Sequence, residues 1–234
     1  MAVGAAAQQV PLPHLSVGFE ETSDPQEVAT SIKLLIILTI LSLAPALLAM
    51  TTAFSRIVIV LSFLRSALGT QNIPPNQIVV GLSLFLTFFV MAPTFQRINE
   101  EALQPYLAER IGFQQAFVQA QRPIKDFMLR QTYTKDLKLF LNLRKEAPPA
   151  TKEELPLLTL IPAFIVSELK TAFMIGFYIY VPFLVVDLVV ASTLMSMGMM
   201  MMPPVVVSLP AKILVFLLAD GWGVLVQTLV TGFR

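Results

Sequence analysis

Residues 34–55 contain no Asp, Glu, Lys or Arg. At about 1.5 Å per residue, a helix over that stretch is long enough to cross a bilayer. Pro45 predicts a kink within it. Arg56 and Arg65 bracket Ile57-Val58-Ile59-Val60-Leu61, so the helix can continue past the membrane core. Residues 66–96 are uncharged again. Gly69, Pro74 and Pro75 predict a turn there. Pro75 suits a first helical turn, and a second apolar helix runs from about Asn76 to Pro93. Residues 31–96 thus read as an apolar helical hairpin. The turn segment Asn72–Gln77 needs no chemistry to explain it.

The pattern changes at residue 97. Ile98, Ala102, Leu103 and Leu107 recur at helical spacing, as do Ile124, Phe127 and Met128, then Leu137, Phe140 and Leu141. Residues 97–155 therefore read as a polar helical domain, with a linker at Pro148-Pro149. An apolar region then continues to the end. Pro203-Pro204 divides it into helices of roughly 163–202 and 205–231, and Pro182 predicts a bend in the first. Residues 156–234 read as a second apolar hairpin. The two hairpins match in size but not in sequence, and no internal repeat is visible.

Composition agrees with this layout. The chain is 56% hydrophobic and 13% charged, against about 45–50% and 25% in soluble domains. A core of this size cannot hide that excess, so lipid or a large protein assembly has to cover it. Eighteen of the 31 charged residues fall in 97–155. The net charge of +1 gives no footprint for nucleic acid. Cysteine is absent, which removes disulfides, thiol nucleophiles and Cys-based metal sites. Residues 1–30 read as a flexible polar arm containing His14, since the first basic residue is Lys33 and a secretory signal needs a basic start. Ala5-Ala6-Ala7 leaves open the remnant of a small-residue cleavage site. Arg56 and Arg65 near the first hairpin's tip favour a cytoplasmic tip, with the polar domain outside.

The informative charges are few. Glu168, Lys170, Asp187, Lys212 and Asp220 interrupt otherwise apolar helices. Each would cost about 2.5–3.5 kcal/mol near a bilayer centre, so each must be paired, near a helix end, or turned to a wet lumen or another subunit. Glu168 and Lys170 are two apart and face different sides, so they do not pair with each other. Glu168 with Lys212 is a candidate cross-helix pair, within or between subunits. Asp187 lies about five turns from Glu168 and needs a partner of its own. Three roles stay open: locking subunits or lining a pore, fixing helix register, or a proton relay. A relay usually needs several carboxylates or histidines in series.

A second signal is the run Met195-Ser196-Met197-Gly198-Met199-Met200-Met201-Met202, which holds six of the eleven methionines. Methionine is unbranched and adaptable, so a ring of such turns can close around polypeptides of many shapes. Gly198 lets the backbone bend, and the prolines that follow stop the helix. A lipid-facing or core-packing turn is the plainer alternative. No phosphate loop, HExxH motif or metal-spaced His/Cys set is present, and no nucleophile–base pattern is visible. The chain is read as not an enzyme and as needing no cofactor.

Ordered blocks carry a family resemblance. They are Phe54–Val60 with Leu64-Arg65, Pro74–Gln77, Leu86–Pro93, Phe127–Thr132, Ser167–Phe173, Ile175–Pro204, Leu209–Lys212 and Asp220–Trp222. Over about residues 30–232 the chain resembles the FliP family of type III secretion export-gate proteins, departing at its two ends and between about Lys145 and Glu154. The resemblance implies an all-α membrane protein with two apolar helical hairpins flanking a helical polar domain, assembled into a ring expected to hold five copies. It implies a pore-forming subunit that passes unfolded export substrates across the bacterial inner membrane, within the flagellar basal body. The implied partners are FliQ and FliR in one helical assembly, FlhB, the surrounding MS-ring protein FliF, and membrane lipid. The hairpins are expected to rise out of the membrane plane. The family's methionine gate maps onto Met195, Met197, Gly198, Met199, Met200, Met201 and Met202, and its intersubunit ion pair onto Glu168 and Lys212. Residues 97–155 are implied to help subunits associate outside the cytoplasm.

Injectisome homologues of the SctR type share the pattern and remain an alternative. So does a small-solute or ion transporter coupled through Asp187 or Glu168, although the missing inverted repeat argues against it.

Overall fold

The computed structural model describes residues 25–70, 73–144, 154–199 and 201–233. Among these, every regular element is a helix. Residues 1–24 of the expected arm, Asn72, the Pro148-Pro149 linker and Met200 lie outside the described residues. The chain divides into two units, Met1–Ala44 and Pro45–Arg234.

The first unit holds the start of α1 (Pro25–Thr51). The helix begins within the 1–30 stretch read as a flexible arm. From Ile32 onward its side chains form a 20-residue apolar stretch, none of it buried within the chain.

In the second unit α1 ends at Thr51, and α2 (Phe54–Leu68) starts after a break. Sequence reading allowed one continuous helix here. Hydroxyls stand in for helical bonds at the break. Ser55 donates to the Ala49 carbonyl at 2.5 Å, and the Phe54 N–H reaches the Thr52 hydroxyl at 3.4 Å. Side chains thus satisfy backbone groups left open where the helix ends. On α2, Ile57, Val60, Leu61, Leu64, Ala67 and Leu68 are buried. Their three–four spacing puts them on one stripe, and that stripe packs mainly against α7 (Leu157–Ser196) and then α3 (Asn76–Ile98). Gly176 of α7 permits the close approach. A Cβ there would stand 2.6 Å from the ring of Phe63. Gly69, at φ +76°, ends α2 with its N–H on the Ser66 carbonyl.

The boundary expected at residue 97 is not a break in the helix. α3 passes through a π-helical turn (Asn99–Leu103) into α4 (Gln104–Leu107), and Asn76–Leu107 forms one continuous 32-residue helical run, apolar in its first part and charged from Arg97. Pro105 explains the π turn. It has no N–H for the Glu101 carbonyl, and its ring crowds that carbonyl. The ladder slips by one residue, with the Gln104 N–H reaching the Asn99 carbonyl. The polar segment then folds back as α5 (Phe113–Gln131) and α6 (Thr134–Arg144). α5 packs on α3 and α7, and α6 on α7.

α7 has 40 residues with Pro162 and Pro182 inside it. It is about 60 Å long, twice the roughly 30 Å hydrocarbon core. It ends at Ser196, short of the expected 202. A Schellman motif stops it: the Met199 N–H reaches the Leu194 carbonyl at 3.0 Å, the Gly198 N–H reaches that of Met195 at 3.0 Å, and Gly198 sits at φ +76°.

The single helix expected over 205–231 is two helices, α8 (Pro204–Leu218) and α9 (Gly221–Thr231), bent by 62°. Asp220 between them is left-handed at φ +48°. A Cβ on Gly221 would lie 2.1 Å from the Phe216 ring, and one on Gly223 would lie 2.4 Å from the Asp220 carboxylate. The Asp-Gly dipeptide was the turn signal in the sequence. Among the described residues, three helices are long and apolar enough to cross a membrane, or four if α8 and α9 make one span.

Candidate functional site

The charges on α7 are each met by a different neighbour. Glu168 and Lys170 point to different sides, as a two-residue separation requires, and Asp187 lies about 28 Å further along the axis.

Glu168 is fully buried, and its partner is Arg56 of α2, which is 3% exposed. Arg56 Nε donates to Glu168 Oε2 at 2.8 Å, and Nη2 donates to Oε1, giving a forked pair. Nη2 also donates to Gln131 Oε1 at 3.1 Å, and Nη1 to the Gly232 carbonyl at 3.2 Å. The guanidinium lies 3.9 Å from the ring centre of Phe233. Four segments thus meet at one buried cation: α2, the end of α5, α7, and the residues after α9.

Lys212, on α8, is also buried. Its Nζ stands 2.6 Å from Asp187 Oδ2 and donates to the Ala67 carbonyl at 3.2 Å. Ser208 donates to Asp187 Oδ1 at 2.5 Å. Within the described chain, then, Glu168 and Lys212 belong to separate pairs, and the partner that Asp187 needed is Lys212.

Lys170 is 52% exposed and pairs with Asp136 of α6, a buried carboxylate. Ser167 donates to Asp136 at 2.9 Å and accepts from the Tyr133 N–H at 3.0 Å. The Lys170 hydrogen bond, helped by that of Ser167, holds the Asp136 carboxyl below its ordinary pKa despite burial. Asp220 is exposed at the α8–α9 bend.

Sequence reasoning missed Arg56 as a partner and treated it as a topology marker. A signal was present. Arg56 lies four and eight residues before Val60 and Leu64, so it shares the buried stripe of α2. Asp136, Gln131 and Ser208 carried no comparable signal, because each needs the tertiary fold to be placed.

At the other end of α7 the methionines are bare. Met195, Met197, Met199 and Met202 are exposed, and Met201 is 98% exposed. Gly198 turns the chain, and Met200 lies outside the described residues.

Among the described residues no cluster of three or more His, Cys, Asp or Glu could hold a metal ion, and no buried side-chain polar atom lacks a partner. This is an all-α membrane protein in which buried inter-helix charges staple a long helix at several points along its length and a methionine-rich turn follows its end. The chain belongs to the FliP family, whose model matches residues 37–229. It is 55% identical over 212 residues to the flagellar biosynthetic protein FliP of Bacillus subtilis (strain 168), covering 91% of this chain and 96% of that protein. It is 50% identical over 236 residues to the flagellar biosynthetic protein FliP of Aquifex aeolicus (strain VF5), covering 100% of this chain and 96% of that one. The Treponema pallidum (strain Nichols) protein of the same name is 43% identical over 224 residues, covering 95% and 83%.

Proposed function

We propose that the chain is a core pore-forming subunit of the flagellar type III protein export gate, passing unfolded polypeptides across the bacterial inner membrane within the flagellar basal body. Copies of it form a ring, expected to be a pentamer, with FliQ, FliR and FlhB as companions inside the FliF ring. The chain is a conduit and not an enzyme. The observation that carries this reading is the projecting methionine turn: adaptable apolar side chains held out on a capped helix end, uncovered by their own chain. Like turns around an axis give a seal that yields to polypeptides of varied shape. The apolar faces of α3 (Phe85, Phe88, Phe89) and α7 (Phe173, Phe177, Val185, Leu188) are exposed too. Faces of this kind take lipid or neighbouring subunits.

The test is ion leakage through the assembled complex. Replacing Met199, Met201 and Met202 together by Ser should leave complex formation intact and make the closed channel conduct small ions. Unchanged conductance in assembled channels would refute the sealing role.

A further inference from the structure

The Arg56–Glu168 pair is sealed by a segment with few bonds of its own. After α9 the chain makes a short turn, with the Gly232 N–H on the Thr228 carbonyl at 3.0 Å and the Phe233 N–H on the Val230 carbonyl at 3.4 Å. Beyond that turn, Gly232 and Phe233 meet Arg56 and Phe127, and Phe233 packs half-buried at the edge of the hydrophobic core. The Phe233 ring covers the guanidinium at 3.9 Å. It also stacks on Phe127 of α5, with ring centres 6.2 Å apart. Phe127 in turn meets Phe164 of α7 edge-on at 6.0 Å. One aromatic side chain therefore touches the buried cation of α2 and a buried ring of α5 together. Lifting it requires no helix to unwind, and weakly held segments of this kind open first. Opening would let water reach a bidentate pair whose strength depends on its exclusion.

We propose that Phe233 is a strap: it positions Arg56 and through it Glu168, and the end of α5 stays docked on α7 only while the strap is closed. The closed strap keeps the Glu168 carboxylate engaged inside its own chain. The proposal concerns how a single chain closes and does not depend on the pore reading.

The absence of cysteine makes the test clean. Met128 is on α5 and fully buried, so Met128→Cys in the full-length protein in detergent reacts with a maleimide only when α5 lifts. Phe233→Leu keeps apolar bulk but loses the ring face. It should raise the labelling rate about tenfold, the factor given by a loss of about 1.4 kcal/mol from a desolvated cation–π contact. Phe233→Tyr should keep the slow rate. In a background with both charges replaced, Arg56→Leu with Glu168→Leu, Phe233→Leu should have a clearly smaller effect, that of the lost Phe127 stack alone. An unchanged rate in Phe233→Leu would overturn the strap. An equal increase in the uncharged background would overturn the role assigned to the cation.

Discussion

The two ends of α7 belong to one helix and have opposite fates. Near its start, Glu168 is fully enclosed and every polar neighbour is matched. At its finish, Met201 has almost no neighbour at all. The first end completes its packing inside one chain. The second presents apolar side chains that stand exposed among the described residues. Burial thus separates a part of the helix that sets the fold from a part that adds little to it.

The largest effect should come from breaking the enclosed end. Glu168→Ala strands the Arg56 cation in a dry site, and losing one partner of a buried pair typically costs about 3–5 kcal/mol. Thermal unfolding in detergent should show it as a large drop in midpoint. The charge swap Arg56→Glu with Glu168→Arg should recover part of that loss. Reversing Glu168 and Lys212 together should not, because Lys212 sits with Asp187. Rescue of ring assembly by the second swap and not the first would move the pairing between copies.

Lys212→Met should cost less, about 1–3 kcal/mol, because Asp187 is partly exposed and keeps the Ser208 hydroxyl. Gly176→Ala should cost about 1–3 kcal/mol by overpacking, and Phe63→Ala in the same chain should relieve the clash. An unchanged unfolding midpoint for Gly176→Ala would mean that α2 and α7 pack less closely than described.

A smaller effect follows from acid. The Asp136 pKa is depressed in the fold, so its stabilising contribution is complete above its unfolded value of about 3.9. That contribution is lost as pH falls through the lower folded value. Hydrogen exchange in α6 should therefore speed up below about pH 4, and Asp136→Asn should remove this pH dependence. The smallest effect belongs to the bare end. Met201→Ser should change the stability of the isolated chain by no more than about 0.5 kcal/mol.

The sequence made some of this legible and not the rest. The apolar runs before 97 and after 155 announced membrane helices, because length and lack of charge need no tertiary information. The separate facing of Glu168 and Lys170 followed from helix geometry alone. Partner identity did not. A carboxylate on α7 can reach any cation that the fold brings near, and Arg56 is 112 positions away in the chain. The breaks at Thr52 and Asp220 were missed for a related reason. Both lie in apolar surroundings where hydropathy continues, and the interruption falls at hydroxyls and an Asp-Gly turn, which a hydropathy pattern does not weigh.

The 40 residues of α7 carry a geometric consequence. To fit wholly within the hydrocarbon layer, the helix would have to lean about 60° from the bilayer normal, beyond the roughly 0–40° found for membrane helices. If α7 crosses the membrane within that range of tilt, part of it extends beyond the acyl chains, and any apolar flank there would need protein for its cover.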